Sequence, residues 1–129
     1  MQKILLIEDE RLHRITAAKI LSESGYRVIT AEDSCQGFEF ALEYKPSVII
    51  LDLGLPAGGG LMVLKRMKNS VYTRDIPVIV LTAMQNQKYK SEVLDVGVEA
   101  FLEKPCPENI LLPTIQEILK KTYTSRETK

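Results

Sequence analysis

Three short runs constrain the fold more than anything else in the chain: "KILLIE" (Lys3–Glu8), "SVIILD" (Ser47–Asp52) and "PVIVLT" (Pro77–Thr82). Each sets β-branched or Leu residues side by side instead of alternating them with polar ones. Strands of that kind are covered on both faces, as in a parallel sheet flanked by helices. "RVITAE" (Arg27–Glu32) and "AFLEKP" (Ala100–Pro105) bring the count of expected strands to five. Helix-period segments stand between them. "RLHRITAAKILSESG" is read with Leu12, Ile15, Ala18 and Leu21 on one face and Gly25 as its stop. "SCQGFEFALEYK", "GLMVLKRMKNS" and "NQKYKSEVLDVG" follow the second, third and fourth strands, the last stopping at Gly97. A final helix from about Glu108 to Lys121 contains Pro113, where a kink or a delayed start is expected.

Five β-α units in succession imply an α/β fold, a single-domain doubly wound (βα)5 sheet with right-handed crossovers. The expected strand order is 2-1-3-4-5, the flavodoxin-like arrangement, with ligands bound at the carboxyl edge where strands 1 and 3 are neighbours. Residues 1–121 make the domain, and residues 122–129 are expected as a polar, frayed tail. The 129 residues, 45% apolar, suffice for one core. The 17 basic and 17 acidic residues leave no global field toward nucleic acid or an anionic membrane. No run reaches a transmembrane length, and "MQKILLIEDE" is too short and too soon charged for a signal peptide. Cys35 and Cys106 lack CxxC spacing and follow strands 2 and 5, the two edges of the sheet. Four strand spacings separate those edges by roughly 19 Å, which excludes a bridge. Free thiols fit a reducing, cytoplasmic setting.

Parallel strands gather their carboxyl ends on one edge. Strand 1 ends in Glu8, Asp9 and Glu10, strand 3 in Asp52, strand 4 in Thr82 and Ala83, and strand 5 in Lys104 and Pro105. Glu8, Asp9 and Asp52 crowded together repel unless a cation sits among them, and carboxylates plus water are the usual holders of Mg²⁺. Asp52 is then the carboxylate best placed to attack a phosphoryl group and become an aspartyl phosphate. Lys104 and the metal neutralise phosphoryl oxygens, and the Thr82 hydroxyl hydrogen-bonds one of them.

The set "LIEDE", "ILDLGLP", "VIVLTA" and "FLEKP" resembles the receiver domain of two-component response regulators, the chemotaxis-Y-like superfamily, from about Lys3 to Lys121. The resemblance implies a bacterial signalling phosphoacceptor rather than an enzyme, one that promotes its own phosphorylation and dephosphorylation. Glu8 and Asp9 are then the acidic metal pair. Asp52 takes the phosphoryl group from a histidine kinase or histidine phosphotransfer protein, and the Gly54 carbonyl completes the Mg²⁺ shell. Thr82, Ala83 and Lys104 contact the phosphoryl group, Thr82 and Phe101 form the switch, and the Lys104–Pro105 bond is cis. Gly54 and Met84 tune hydrolysis. The reader of the signal, a downstream protein or an output domain, docks on the face of helix 4, strand 5 and helix 5, which includes Lys88, Lys90, Glu99 and Glu103. No direct contact with nucleic acid or membrane is implied, and the chain is a monomer or a phosphorylation-dependent dimer.

Alternatives stand beside these assignments. Asp52 alone reads as a turn former, and Glu8-Asp9-Glu10 as a solvated cap of the next helix. Thr82, Lys104 and Phe101 alone read as a strand end, a surface lysine and a core residue. His13, the single histidine, is expected at the surface of the first helix near the site, with contact to the phosphodonor as the alternative. "GLPAGGG" lacks the Lys and Ser/Thr of a P-loop, and Gly60 is read as opening the next helix. A mononucleotide binder of this strand order would need a first loop that welcomes phosphate, which "EDE" does not. A phosphatase of the haloacid-dehalogenase type would need an Asp where Gly54 stands. A phosphorylation-independent scaffold would lack part of the site, whereas a receiver excised from a transcription factor or hybrid kinase would keep it. "VGVEAF" lacks the paired Asp that many winged-helix DNA-binding regulators carry before the aromatic, which disfavours their dimer mode.

Overall fold

A computed structural model describes residues 2–55, 59–83 and 87–127. In chain order its elements are β1 (Lys3–Ile7), α1 (Arg11–Glu23), β2 (Arg27–Ala31), α2 (Ser34–Tyr44), β3 (Val48–Leu51), α3 (Gly59–Lys68), β4 (Val78–Thr82), α4 (Gln87–Val96), β5 (Ala100–Glu103) and α5 (Glu108–Glu127). All five strands are parallel, in the order β2-β1-β3-β4-β5. The sequence-based order is the observed one.

The apolar runs divide by the two-residue period of a strand. Leu5, Ile7, Ile49, Leu51, Val78 and Val80 face Ala41 of α2, Leu64 and Met67 of α3, and Val93 of α4. Ile4, Leu6, Val48, Ile50, Ile79 and Leu81 face Leu21 of α1 and Leu111, Ile115 and Leu119 of α5. Both faces are thus buried, which is why β1, β3 and β4 show no polar alternation. Among the described residues no helix is long and apolar enough to cross a membrane.

Two readings of the helices need correction. Leu12 and Ile15 do not share the covered face with Leu21: they are 69% and 52% exposed, whereas Leu21 is fully buried. A constant step of three residues lags the helical turn, so Leu12 and Leu21, about two and a half turns apart, end on opposite sides. The covered stripe of α1 is Arg14, Ala17, Ala18 and Leu21. Helix α5 starts at Glu108 without delay, since Ile110 N and Leu111 N already donate to Pro107 O, each at 3.0 Å. Pro113 sits inside the helix, which continues past Lys121 to Glu127 where a frayed tail is expected.

Gly25 and Gly97 end α1 and α4 at φ of +96° and +107°, a region where side chains are strained. Gly60 serves packing instead. A Cβ there would lie 2.6 Å from Leu53 Cα and 3.0 Å from the Asp52 and Leu53 carbonyl oxygens, all backbone atoms. The second residue of α3 therefore presses on the segment that carries Asp52. At Gly37 of α2 a Cβ would meet only side-chain atoms of Ile7, the nearest at 2.7 Å. Gly60→Ala is expected to lower stability by about 2–3 kcal/mol, because backbone must move. Gly37→Ala, where a side chain can yield and helix propensity improves, is expected to lose about 1 kcal/mol or less. Urea unfolding midpoints of the two variants check the ranking.

Candidate functional site

The ladder hydrogen bonds run one step beyond the strand ends and set the key backbone positions. Glu8 N donates to Ala31 O at 3.0 Å, Asp52 N to Ile7 O at 3.0 Å, and Lys104 N to Thr82 O at 2.9 Å. Glu8 and Asp52 are therefore neighbours across β1 and β3, and Lys104 leaves β5 beside the end of β4. Glu8 is 3% exposed, and the Asp52 and Lys104 side chains are 12% and 17% exposed. Charged groups this deep need partners, and each has them. The Lys104 ammonium bonds to Glu8 Oε1 and to Asp52 Oδ2, the latter at 3.1 Å. Asp52 Oδ1 accepts from Gly54 N at 2.8 Å. The Lys104–Pro105 peptide bond is cis.

Burial, together with the neighbouring Asp52, pushes the Glu8 carboxyl up to about 7, with Lys104 opposing. Burial acts the same way on Asp52, but Glu8, the Gly54 amide and Lys104 outweigh it and hold Asp52 below the ordinary carboxylate range. Lys104 is raised: burial works against its charge, and Glu8 and Asp52 overcome it. Two carboxylates thus sit in one site with their proton affinities pushed apart. Of the two, Glu8 is the carboxylate that takes a proton first as pH falls, and Asp52 is the one that stays ionised.

A cleft of about 380 Å³ opens over this group, lined by Asp9, Glu10, His13, Asp52, Gly54, Thr82, Ala83 and Lys104. Glu8, Asp9 and Asp52 each offer a carboxylate oxygen, all within 4.8 Å of one another. An all-oxygen donor set of this charge fits a hard divalent cation. The structure brings together Glu8, Asp9, Asp52, Gly54, Thr82, Ala83 and Lys104. It leaves Phe101 outside the cleft, half-buried on β5 with Lys90 Nζ 5.0 Å from the ring centroid. Met84, and the side chain of Lys88, lie outside the described residues. Cys35 and Cys106 are free thiols.

Three participants are not evident in the sequence. Arg14 donates from Nη1 to the carbonyl oxygens of Glu8 and Asp9, at 3.1 and 3.2 Å, and from Nη2 to Glu32 Oε1 at 3.3 Å. It ties the acidic loop to α1 and to the end of β2. His13, expected merely at the surface, places Nδ1 3.4 Å from Lys104 Nζ and 3.2 Å from Glu10 Oε2. Tyr89 of α4 accepts from Leu61 N in the first turn of α3 at 3.1 Å. The available signal for Arg14 and His13 is their place in the first turn after the acidic run; for Tyr89 there is none.

Comparison with known proteins agrees with this geometry. Residues 4–116 match the family model of the response regulator receiver domain. The chain is 33% identical over 119 residues to the phosphate regulon transcriptional regulatory protein PhoB of Pseudomonas aeruginosa, covering 92% of this chain and 52% of that protein. It is 32% identical over 121 residues to the virulence transcriptional regulatory protein PhoP of Salmonella typhimurium, covering 94% and 53%. The chain thus spans about half the length of these curated relatives. Among solved structures, the chemotaxis protein CheY4 of Vibrio cholerae superposes with a TM-score of 0.84 at 29% identity, over 92% of this chain and 98% of that one. The parallel five-stranded order, the carboxylate group at its carboxyl edge and the match over residues 4–116 place this chain in the family of response regulator receiver domains.

Proposed function

We propose that this chain accepts a phosphoryl group on Asp52 from a histidine kinase or histidine phosphotransfer protein in the cytoplasm. The observation that carries the reading is geometric: Glu8, Asp9 and Asp52 each place a carboxylate oxygen within 4.8 Å of the others, and the Lys104 ammonium lies 3.1 Å from Asp52 Oδ2. In keeping with it the two neighbouring carboxylates contrast, Glu8 raised to about 7 and Asp52 held low. An ionised Asp52 oxygen attacks phosphorus in line, and the phosphorus bond to the donor's leaving atom breaks as the new P–O bond forms. Bound Mg²⁺, held by Glu8, Asp9, Asp52 and the Gly54 carbonyl, would supply neutralising charge for the phosphoryl oxygens. Lys104 moves its ammonium from the carboxylates to a phosphoryl oxygen, and the Thr82 hydroxyl and Ala83 backbone meet the others. Gly54 keeps the approach open, since a Cβ there would stand 3.3 Å from Asp52 Oδ1. Gly54 and Met84 occupy the positions from which water access to the aspartyl phosphate is tuned.

The register supports a route outward. Val80 pairs with Phe101 and Thr82 with Glu103. Thr82 lies two residues from Val80, so Thr82 and Phe101 face the same side of the sheet as diagonal neighbours. Movement of Thr82 toward a phosphoryl group opens space that the Phe101 ring fills. The exposed face of α4, β5 and α5 then changes, with Lys90, Glu99 and Glu103 on it and Lys88 adjoining in sequence. Its reader is a downstream protein or an output domain, and the chain is a monomer or a phosphorylation-dependent dimer.

Incubation with Mg²⁺ and acetyl phosphate is expected to add one phosphate to the wild type and none to Asp52→Asn, as read by intact mass. A wild type that stays unmodified with acetyl phosphate and with phosphohistidine donors would overturn the reading in favour of a scaffold. A pH dependence follows from the same contrast. Mg²⁺ competes with the Glu8 proton, so its apparent affinity is expected to fall by up to about tenfold per pH unit below pH 7 and to level off above it. Titration with Mg²⁺ by calorimetry from pH 5.5 to 8.5 measures this. Without metal the sign for folding is opposite. Glu8 is raised from 4.5 to about 7 in the folded state, so its contribution is complete below pH 4.5 and lost as pH rises through about 7. Glu8→Gln is therefore expected to match the wild type below pH 4.5 and to exceed it by about 3 kcal/mol at pH 8 in urea unfolding with chelator present.

A further inference from the structure

The Lys104 ammonium carries three hydrogens, and three acceptors surround it: Glu8 Oε1, Asp52 Oδ2 at 3.1 Å and His13 Nδ1 at 3.4 Å. The two carboxylates are also the proposed metal ligand and phosphoacceptor, so the imidazole is the one partner with no other assignment. His13 sits on the rim where the cleft meets an apolar groove lined by Leu12, Ala17, Ile20, Pro105 and Leu111, and it borders both. Glu10 Oε2 lies 3.2 Å from the same Nδ1. One ring nitrogen either accepts from Lys104 or donates to Glu10. Seating decides between them: Glu10 is 59% exposed and has water as its partner, whereas Lys104 is 17% exposed and has little. Glu8 Oε1, itself bonded to Lys104, lies 3.7 Å from the same nitrogen, and acceptance from Lys104 at Nδ1 requires the neutral imidazole with its proton on Nε2.

We propose that His13 is a positioning residue of the phosphoacceptor site, its Nδ1 holding the Lys104 ammonium over Asp52 when the carboxylates turn to other partners. This inference rests on the phosphoacceptor reading. With Lys104 tethered by the imidazole, its ammonium is already at the mouth of the cleft when phosphorus arrives. Without the tether only Glu8 and Asp52 hold the ammonium, and it has no fixed partner at the cleft mouth once they turn to other partners, which slows the step but leaves donor binding to the other groups.

Two measurements test it. The first is ¹⁵N NMR of the imidazole in the unmodified protein above pH 7.5. An Nδ1 without a proton, whose resonance shifts in Lys104→Met, is expected; a protonated Nδ1, or no response to Lys104→Met, overturns the proposal. The second is the phosphorylation rate with acetyl phosphate. His13→Ala is expected to be about fivefold slower at saturating donor, the size of one ordinary hydrogen bond. Its half-saturating donor concentration and unfolding midpoint should stay within about twofold and unchanged, respectively. His13→Asn, which keeps an acceptor near the Nδ1 position, should recover most of the loss, and His13→Ala should add nothing in the Lys104→Met background. A His13→Ala variant as fast as the wild type, or equally slowed without Lys104, overturns the positioning role while leaving Asp52 the acceptor. A wild type that takes up no phosphate removes the phosphoacceptor reading, and this inference falls with it.

Discussion

The site depends on one ion group: the Lys104 ammonium between the carboxylates of Glu8 and Asp52. Two acids at adjacent strand ends, one of them 3% exposed, would repel each other strongly in a poorly solvated place. The lysine from the far edge strand and a proton on Glu8 remove that repulsion together. Neither alone would suffice, since one ammonium cannot neutralise two carboxylates. With Glu8 raised to about 7, the group of Glu8, Asp52 and Lys104 is neutral overall below that pH and carries one net negative charge above it. On the proposed reading a divalent cation would replace the proton, and a phosphoryl group would replace Asp52 as the lysine's partner.

The fold supplies what such an exchange needs, a rigid edge on which the carrying residues cannot drift. Glu8, Asp52 and Lys104 are each fixed by a backbone hydrogen bond to the adjoining strand or strand end, not by loop packing. Beneath them β1, β3 and β4 are buried on both faces. Gly60 adds a second restraint by pressing α3 against the backbone of Asp52 and Leu53. Tyr89 then links that same helix start to α4. On the proposed reading a displacement at Asp52 would have two routes to the α4–β5–α5 face, one through Thr82 and the register with Phe101, the other through α3 and the Tyr89 contact.

Much of this was legible from the order of residues because a parallel sheet obeys simple rules. Unbroken apolar runs identify the doubly covered strands, and parallelism alone brings Glu8, Asp52, Thr82 and Lys104 to one edge. What stayed hidden depends on helix phase and on side-chain reach. Leu12 and Ile15 looked like core because a spacing of three resembles a helical stripe over one turn and departs from it over two. Pro113 looked disruptive, yet the helix forms around it from Glu108. Arg14 and His13 are ordinary first-turn residues until the acidic loop curls back toward them. The Tyr89 contact joins residues far apart in sequence and leaves no local pattern.

His13 and Arg14 show how a short helix turn can finish a site that the strands begin. Consecutive residues on a helix point about 100° apart, so α1 sends one of them under the acidic loop and the other over the cleft. Arg14 takes the buried side, holding the carbonyls of Glu8 and Asp9 and reaching Glu32. His13 takes the open side, against Lys104 and Glu10. Arg14 fixes where the acids are, and on the proposed reading His13 fixes where their counter-charge goes. The strand ends thus determine which groups meet, and on that same reading the first turn of α1 sets how closely the lysine is held over Asp52.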